Sequence, residues 1–268
     1  MRPLRTAWVS SRFGTGHIER ALAAAGFALR RQRPDIVLAY GGDGTVLEAE
    51  RFWPGVLKLA VAPAAHGLRL RRLRHCPAVP EVALPAALRK LRAGRYRVRA
   101  FQKIEGVARG RRVLALNEIA VRNVNPARAL RFSLSGRGAP KGLRIGDGIV
   151  AATAYGSTAY YRALGHEPFR SGFRVAGNNA LPAFRPFALR GRLVVTVLRE
   201  HAWFLGDNNP VHVFLKPGDR VTIRPAPAGR RQRSWPNSCR RRCGEGFRGR
   251  AFQPASKSSA KARFAVVR

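Results

Sequence analysis

A chain of 268 residues that is 46% hydrophobic and 9% aromatic can bury one large core or two ordinary ones, which excludes a disordered polypeptide. Its 51 Lys and Arg against 14 Asp and Glu give a formal net charge of +37, so nonspecific polyanion binding at low salt is expected. Arginine supplies 44 of those cations and is spread over every segment without any nucleic-acid module, which argues against specific nucleic-acid recognition.

The opening "MRPLRTAWVSSRFG" is basic but has no apolar stretch of signal-peptide length, and no run of about 18 apolar residues follows to span a membrane. The expectation is a cytoplasmic protein without membrane contact. Three cysteines, Cys76, Cys239 and Cys243, make no disulfide framework, and the last two lack a nearby histidine that would suggest zinc.

"TAWVSSR" (6–12) reads as a strand and "HIERALAAAGFALRR" (17–31) as a helix, with Ile18, Leu22, Ala25 and Leu29 at three-to-four spacing. After Pro34, "DIVLAY" (35–40) is a continuous apolar strand of the kind buried on both faces. A glycine turn, a helix over "TVLEAERF" (45–52) and a strand at "LKLAVAP" complete a parallel α/β unit. From about residue 98 the pattern alternates, with a turn near Gly110 and short strands such as "GIVAATAY" and "RLVVTVLRE". The chain thus divides into an α/β domain (1–97), a β-rich, sandwich-like domain (98–228) and a basic tail (229–268). That tail holds twelve Lys or Arg against Glu245 alone and shows no helical or strand period.

The turn "GGDGT" (41–45) raises the chemical question. Gly41, Gly42 and Gly44 let a ligand approach the backbone, and a helix N-terminus there would seat phosphate. Neither a lysine-bearing phosphate loop nor G-x-G-x-x-G is present. Asp43 inside a phosphate seat has two chemical uses: to help hold magnesium, or to accept the proton of an attacking hydroxyl. Its third reading is a helix cap. His166, His201 and His212 stand singly and read as structural.

"GGDGT" is shared by lipid kinases, phosphofructokinases and NAD kinases. "LNEIAVRN" (116–123) and "GDGIVAATAYGSTAYYRALG" (146–165) narrow the choice, because the three stretches in this order resemble the NAD kinase family over roughly residues 30 to 225. The resemblance implies an α/β domain and a β-sandwich-like domain with the active site between them. It implies phosphorylation of the adenosine-ribose 2′-hydroxyl of NAD to NADP, using ATP or polyphosphate with Mg2+, in a homo-oligomer. Asp43 would be the base, and Gly41, Gly42, Gly44 and Thr45 would line the donor phosphates. Asn117, Glu118, Asp147, Thr158, Ala159, Tyr160 and Ala163 would contact NAD, and Arg128 would stand near phosphate. "FLGDNNPVHVFLKPGDRV" (204–221) is similar to a late family stretch, with Asp207 near the site and Asn209 a contact.

The chain departs from that pattern at Thr153-Ala154-Tyr155, at "GHEP" (165–168), at Ile145 and at Glu48, where a basic or neutral residue is more usual. The family's glycine-rich stretch is not recognisable in 62–80. Nor does the tail read as a segment able to return to the first domain, as the family's does. Two alternatives follow: a lipid or sphingoid kinase of the same glycine-aspartate superfamily, and a homologue that binds NAD with impaired turnover.

Overall fold

The computed structural model describes residues 3–64, 78–227 and 259–267. Residues 65–77 and 228–258, which include Cys76, Cys239, Cys243 and most of the expected tail, lie outside the described residues.

The first half is a seven-stranded sheet flanked by helices α1 (Gly16–Ala24), α2 (Asp43–Phe52) and α3 (Leu84–Arg92). Its parallel part runs Ala28–Leu29, Thr6–Ser10, Ile36–Tyr40, Leu57–Ala62, with Val79–Pro80 added beside the last. Ile36–Tyr40 is apolar throughout because both faces are covered. Ile36, Leu38 and Tyr40 enter the core beneath α1 and α3, while Val37 and Ala39 enter the core beneath α2. α2 contributes Val46, Leu47 and Ala49 to that second core; each buried Val or Leu side chain is worth about 1.5–3 kcal/mol.

Two sequence-based expectations need correction here. The helix expected over 17–31 stops at Ala24, because Gly26 takes a left-handed φ of 76° that ends the helix. Ala28–Leu29 then pair at the sheet edge, which leaves Leu29 exposed instead of on a helix face. The last residues do return to the first domain. Lys261–Val266 lies between Leu57–Ala62, to which it is parallel, and Arg97–Gln102, to which it is antiparallel. The physical reason is its alternation: Ala262 and Phe264 are buried while Lys261 and Arg263 reach solvent. Phe264 stacks on Tyr155 at 5.7 Å between centroids and meets the edge of Phe101 at 5.6 Å.

Because Arg97–Gln102 belongs to the first sheet, the chain changes sheets at Lys103. The β-rich half is two six-stranded antiparallel sheets. One runs Leu143–Gly146, Leu130–Gly136, Leu193–Arg199, Arg220–Pro225, Ile104–Ala108, Arg111–Ala115. The other runs Phe187–Ala188, Phe173–Asn178, Gly148–Thr153, Glu118–Asn123, Ala202–Gly206, Val213–Leu215. Their inner faces share one core that includes Phe132, Ile149, Ala151, Val195 and Phe204, as in a sandwich. The expected α/β plus β-rich architecture is therefore the observed one. Leu116 and Tyr155 of the β-rich half pack into the core beneath α2, so the two halves meet on the helix that begins at Asp43.

Candidate active site at the junction of the two halves

The glycine turn lies at the C-terminal end of the parallel strand Ile36–Tyr40, the usual ligand side of an open α/β sheet. Gly41 donates its N–H to Val61 O at 3.0 Å and adopts φ 148°; a Cβ there would stand 2.5 Å from Thr45 Oγ1. Only glycine fits, because the buried Thr45 side chain tucks beneath the turn. Gly42 is the N-cap residue and Asp43 opens α2, with no side-chain capping bond at this terminus. The opening amides of the helix and its dipole make a seat for an anion.

Asp43 is exposed at this mouth, and among the described residues no hydrogen bond or ion pair holds its carboxylate. The surrounding protein still pushes its pKa above the ordinary carboxylate value by desolvation. The cap reading of Asp43 thus finds no bond to support it.

A turn from the β-rich half reaches this helix. Asn208 Nδ2 donates to Gly44 O at 2.9 Å, and Arg51 donates to Asn208 O at 3.1 Å and to its Oδ1 at 3.3 Å. Glu48, where a basic or neutral residue is more usual, pairs with Arg12 at 3.2 Å.

The residue before Asn208 holds the second part of the site. Asp207 accepts the backbone N–H groups of Leu116 and Asn117 at 2.7 Å each and of Glu118 at 3.2 Å. Thr153 braces the same turn: its hydroxyl donates to Leu116 O at 2.6 Å and its N–H to Asn117 O at 2.8 Å. Burial raises the Asp207 pKa to about 6 against the pull of those three amides and the Lys103 charge. Burial, then the Asp207 charge, raises Glu118 to about 8, while the Tyr160 amide pulls it back. Glu118 Oε2 is buried with no hydrogen-bond partner among the described residues.

These shifts fix a pH dependence. An acid whose pKa is raised by folding stabilises the fold below its unfolded value and loses that contribution as pH climbs through the folded value. For Glu118 the window runs from 4.5 to about 8. The difference in thermal stability between Glu118→Gln and the unsubstituted protein should therefore grow in favour of Gln across that window. A difference that stays flat from pH 5 to 8 would contradict the assignment.

Asp147 is held from two sides. Its Oδ1 accepts Asn123 Nδ2 at 3.0 Å and its Oδ2 accepts Asn179 Nδ2 at 2.7 Å. The flanking glycines are steric necessities, since a Cβ at Gly148 would lie 1.9 Å from Val121 O and one at Gly146 2.2 Å from Asn179 O. A short 3-10 turn, Gly156–Thr158, leads into the single-turn helix α4 (Tyr160–Ala163). Thr158, Ala159 and Tyr160 are half-buried there, and the Tyr160 hydroxyl accepts Asn178 Nδ2 at 3.0 Å. Ala163 is exposed at the end of α4. Asn209 is engaged in a local turn, its Oδ1 accepting Val211 N–H at 3.0 Å.

Arg128 is two-thirds exposed and pairs with Glu200 at 3.6 Å, a surface contact that leaves it directed at a carboxylate. His201 stacks on Phe214 at 5.0 Å, and His166 and His212 lie against Tyr161 and Trp203, in keeping with structural roles. Sequence reading did not single out Asn208, Arg51 or the buried Glu50, Lys58 and Lys103. A signal existed for Lys58, which interrupts an otherwise apolar strand.

Comparison with known proteins agrees with this geometry. No family model matches the chain. The NAD kinase of Methanopyrus kandleri is 30% identical over 135 residues, covering 49% of this chain and 46% of that protein. The NAD kinase of Corynebacterium diphtheriae is 28% identical over 207 residues, covering 72% and 63%. The chain spans about half the length of most of the curated relatives it matches. Among solved structures, an NAD kinase from Archaeoglobus fulgidus in complex with ATP superposes with a TM-score of 0.62 at 23% identity, over 83% of this chain and 90% of the other. The likeness in structure defines a two-part protein of that fold, an α/β half joined to a β-rich half. Taken with the likeness in sequence, it makes the chain similar to NAD kinases in both fold and sequence.

Proposed function

We propose that the protein phosphorylates NAD to NADP, with the adenosine-ribose 2′-hydroxyl as acceptor and ATP or polyphosphate as donor. The observation that carries this reading is the Arg51–Asn208–Gly44 bridge. It sets the Asp43 turn against the Asp207 turn, which in turn grips Asn117 and Glu118. An anion seat and a dinucleotide-facing turn then stand at one junction.

In the proposed reaction the 2′-oxygen attacks the terminal phosphorus of the donor as Asp43 accepts the hydroxyl proton. The bond from that phosphorus to the departing ADP, or to the shortened polyphosphate, breaks. The raised pKa of Asp43 suits the task, since a carboxyl nearer the working pH is the better base. The opening amides of α2 beside Gly42 and Gly44 take the donor phosphates. Asn117 offers a donor and an acceptor to the ribose or base, and Glu118 offers its unpartnered Oε2. Asp147, fixed by Asn123 and Asn179, would orient an amide or hydroxyl of the dinucleotide, beside a wall made by Thr158, Ala159 and Tyr160.

No cluster of three or more His, Cys, Asp or Glu able to cage a metal occurs among the described residues. Mg2+ needs no such cage, because it is held largely by donor phosphates and water, and the anion seat at the start of α2 is where those phosphates would bring it. When bound, the ion would neutralise charge developing on the phosphates. A homo-oligomer in the cytoplasm completes the proposal by resemblance; among the described residues, no helix is long and apolar enough to cross a membrane.

The acceptor is tested by supplying ATP labelled at its terminal phosphate with NAD in one reaction and a sphingoid base or glycerolipid alcohol in another. Label recovered in NADP and absent from the lipid is the expected result. Label in the lipid alone would overturn it in favour of a lipid kinase.

A further inference from the structure

Beneath the site lies a group of buried charges that the reaction above does not use. Glu50, on α2 seven residues after Asp43, is 4% exposed and faces Lys58, which is fully buried, and Lys103, which is 3% exposed. Its Oε1 accepts Lys103 Nζ at 2.5 Å and Gly55 N–H at 3.2 Å, and its Oε2 accepts Lys58 Nζ. Lys58 also donates to Trp53 O at 2.6 Å, at the end of the same helix.

Lys103 differs from Lys58 in its position. It is the residue at which the chain leaves the first sheet for the second. Its N–H donates to Ala260 O at 2.9 Å, next to the returning strand, and its carbonyl accepts Ala226 N–H at 2.9 Å, just past the sandwich strand Arg220–Pro225. Its ammonium pairs with Glu50, and its charge favours the ionised form of the Asp207 carboxylate. Buried ion pairs return little net stability for their desolvation, whereas they hold their partners in one geometry.

We propose that Lys103 is a positioning residue for Asp43: its backbone is anchored where the chain crosses between the two halves, and its ammonium, through Glu50, fixes how α2 is seated against the Asn117–Glu118 turn. The inference rests on the kinase reading. Asp43 lies two turns along α2 from Glu50, so a small tilt of the helix moves its carboxylate relative to the acceptor hydroxyl without touching the groups that bind NAD. Misplacement by about 1 Å can cost on the order of 100-fold in rate.

The test compares NADP formation by the full chain, by Lys103→Met, and by a triple variant carrying Glu50→Met, Lys58→Met and Lys103→Met. The triple variant removes the three paired charges together, so its melting temperature should recover most of what Lys103→Met loses. Both variants should show kcat lowered about 10- to 100-fold, with KM for NAD within about three-fold of the starting protein. A folded variant of either kind with kcat within about two-fold of the starting protein, or with KM raised and kcat intact, would overturn the proposal. Where the triple variant melts early, Lys103→Met assayed below its own melting temperature is read by the same two constants. Absence of NADP from the starting protein itself would remove the kinase reading and this inference together. Normal variants beside an active starting protein would remove this inference alone.

Discussion

Asp43→Asn should abolish nearly all turnover while leaving NAD binding and folding intact. Asparagine has the same shape at the first position of α2 but cannot take a proton from the attacking hydroxyl. Loss of a general base costs about 10²- to 10⁴-fold in rate, and we expect kcat to fall near the middle of that range. NAD affinity, read by calorimetry, should change by less than about three-fold, since Asp43 is assigned to the reacting hydroxyl and phosphates and not to the base-binding turn.

Stability supplies an independent check on the same substitution. Folding raises the Asp43 pKa, so above its ordinary value of 3.8 the ionised side chain costs the folded state free energy. Removing that charge should leave thermal stability at pH 7 unchanged or slightly higher. If Asp43 were instead only a structural cap, Asn would cap about as well and would spare both stability and turnover. The absence of any side-chain capping bond at this terminus argues for the first outcome.

Gly156→Ala should have a large effect for a single added methyl group. A Cβ at Gly156 would stand 2.1 Å from Asn117 O and 2.4 Å from Asn117 C and Cα. These are backbone atoms of a turn already clamped by Asp207 and Thr153, so no flexible side chain can move aside. Overpacking of this kind costs about 1–3 kcal/mol, and backbone displacement puts this case at the upper end. The melting temperature should fall by several degrees, on the order of 2–8 °C for each kcal/mol lost. NAD affinity should weaken by about ten-fold or more as Asn117 is pushed out of place, whereas a variant with normal melting and normal NAD affinity would show that the turn is neither tight nor part of the site.

The parts legible in the sequence are those that short-range pattern encodes. "DIVLAY" announced a doubly covered strand, and Gly41, Gly42 and Gly44 around Asp43 announced the turn that follows it. Gly110 marked the turn of the hairpin joining Ile104–Ala108 to Arg111–Ala115. The parts that were not legible depend on distant partners. Lys261–Val266 carries a two-residue alternation, but arginine-rich surroundings mask it, and only pairing with strands more than 150 residues away reveals it. The helix over 17–31 is shorter than its apolar spacing implies, because Leu29 continues the spacing while Gly26, at positive φ, ends the helix. Asp207 could be noticed by resemblance, but its grip on three amides some 90 residues earlier has no local signature. The Glu50–Lys58–Lys103 group is similarly invisible until α2 is laid over the strands, although Lys58 inside an apolar strand marks where to look.

The most direct test of the account is NADP production by the purified chain with NAD, Mg2+ and either ATP or polyphosphate. Salt should be high enough to suppress the polyanion adsorption that a charge of +37 brings. The account predicts steady NADP formation, with the better donor identifying the phosphate source. NAD that binds in the same buffer yet yields no NADP with either donor would contradict it and leave a binding protein that has kept the fold without the chemistry.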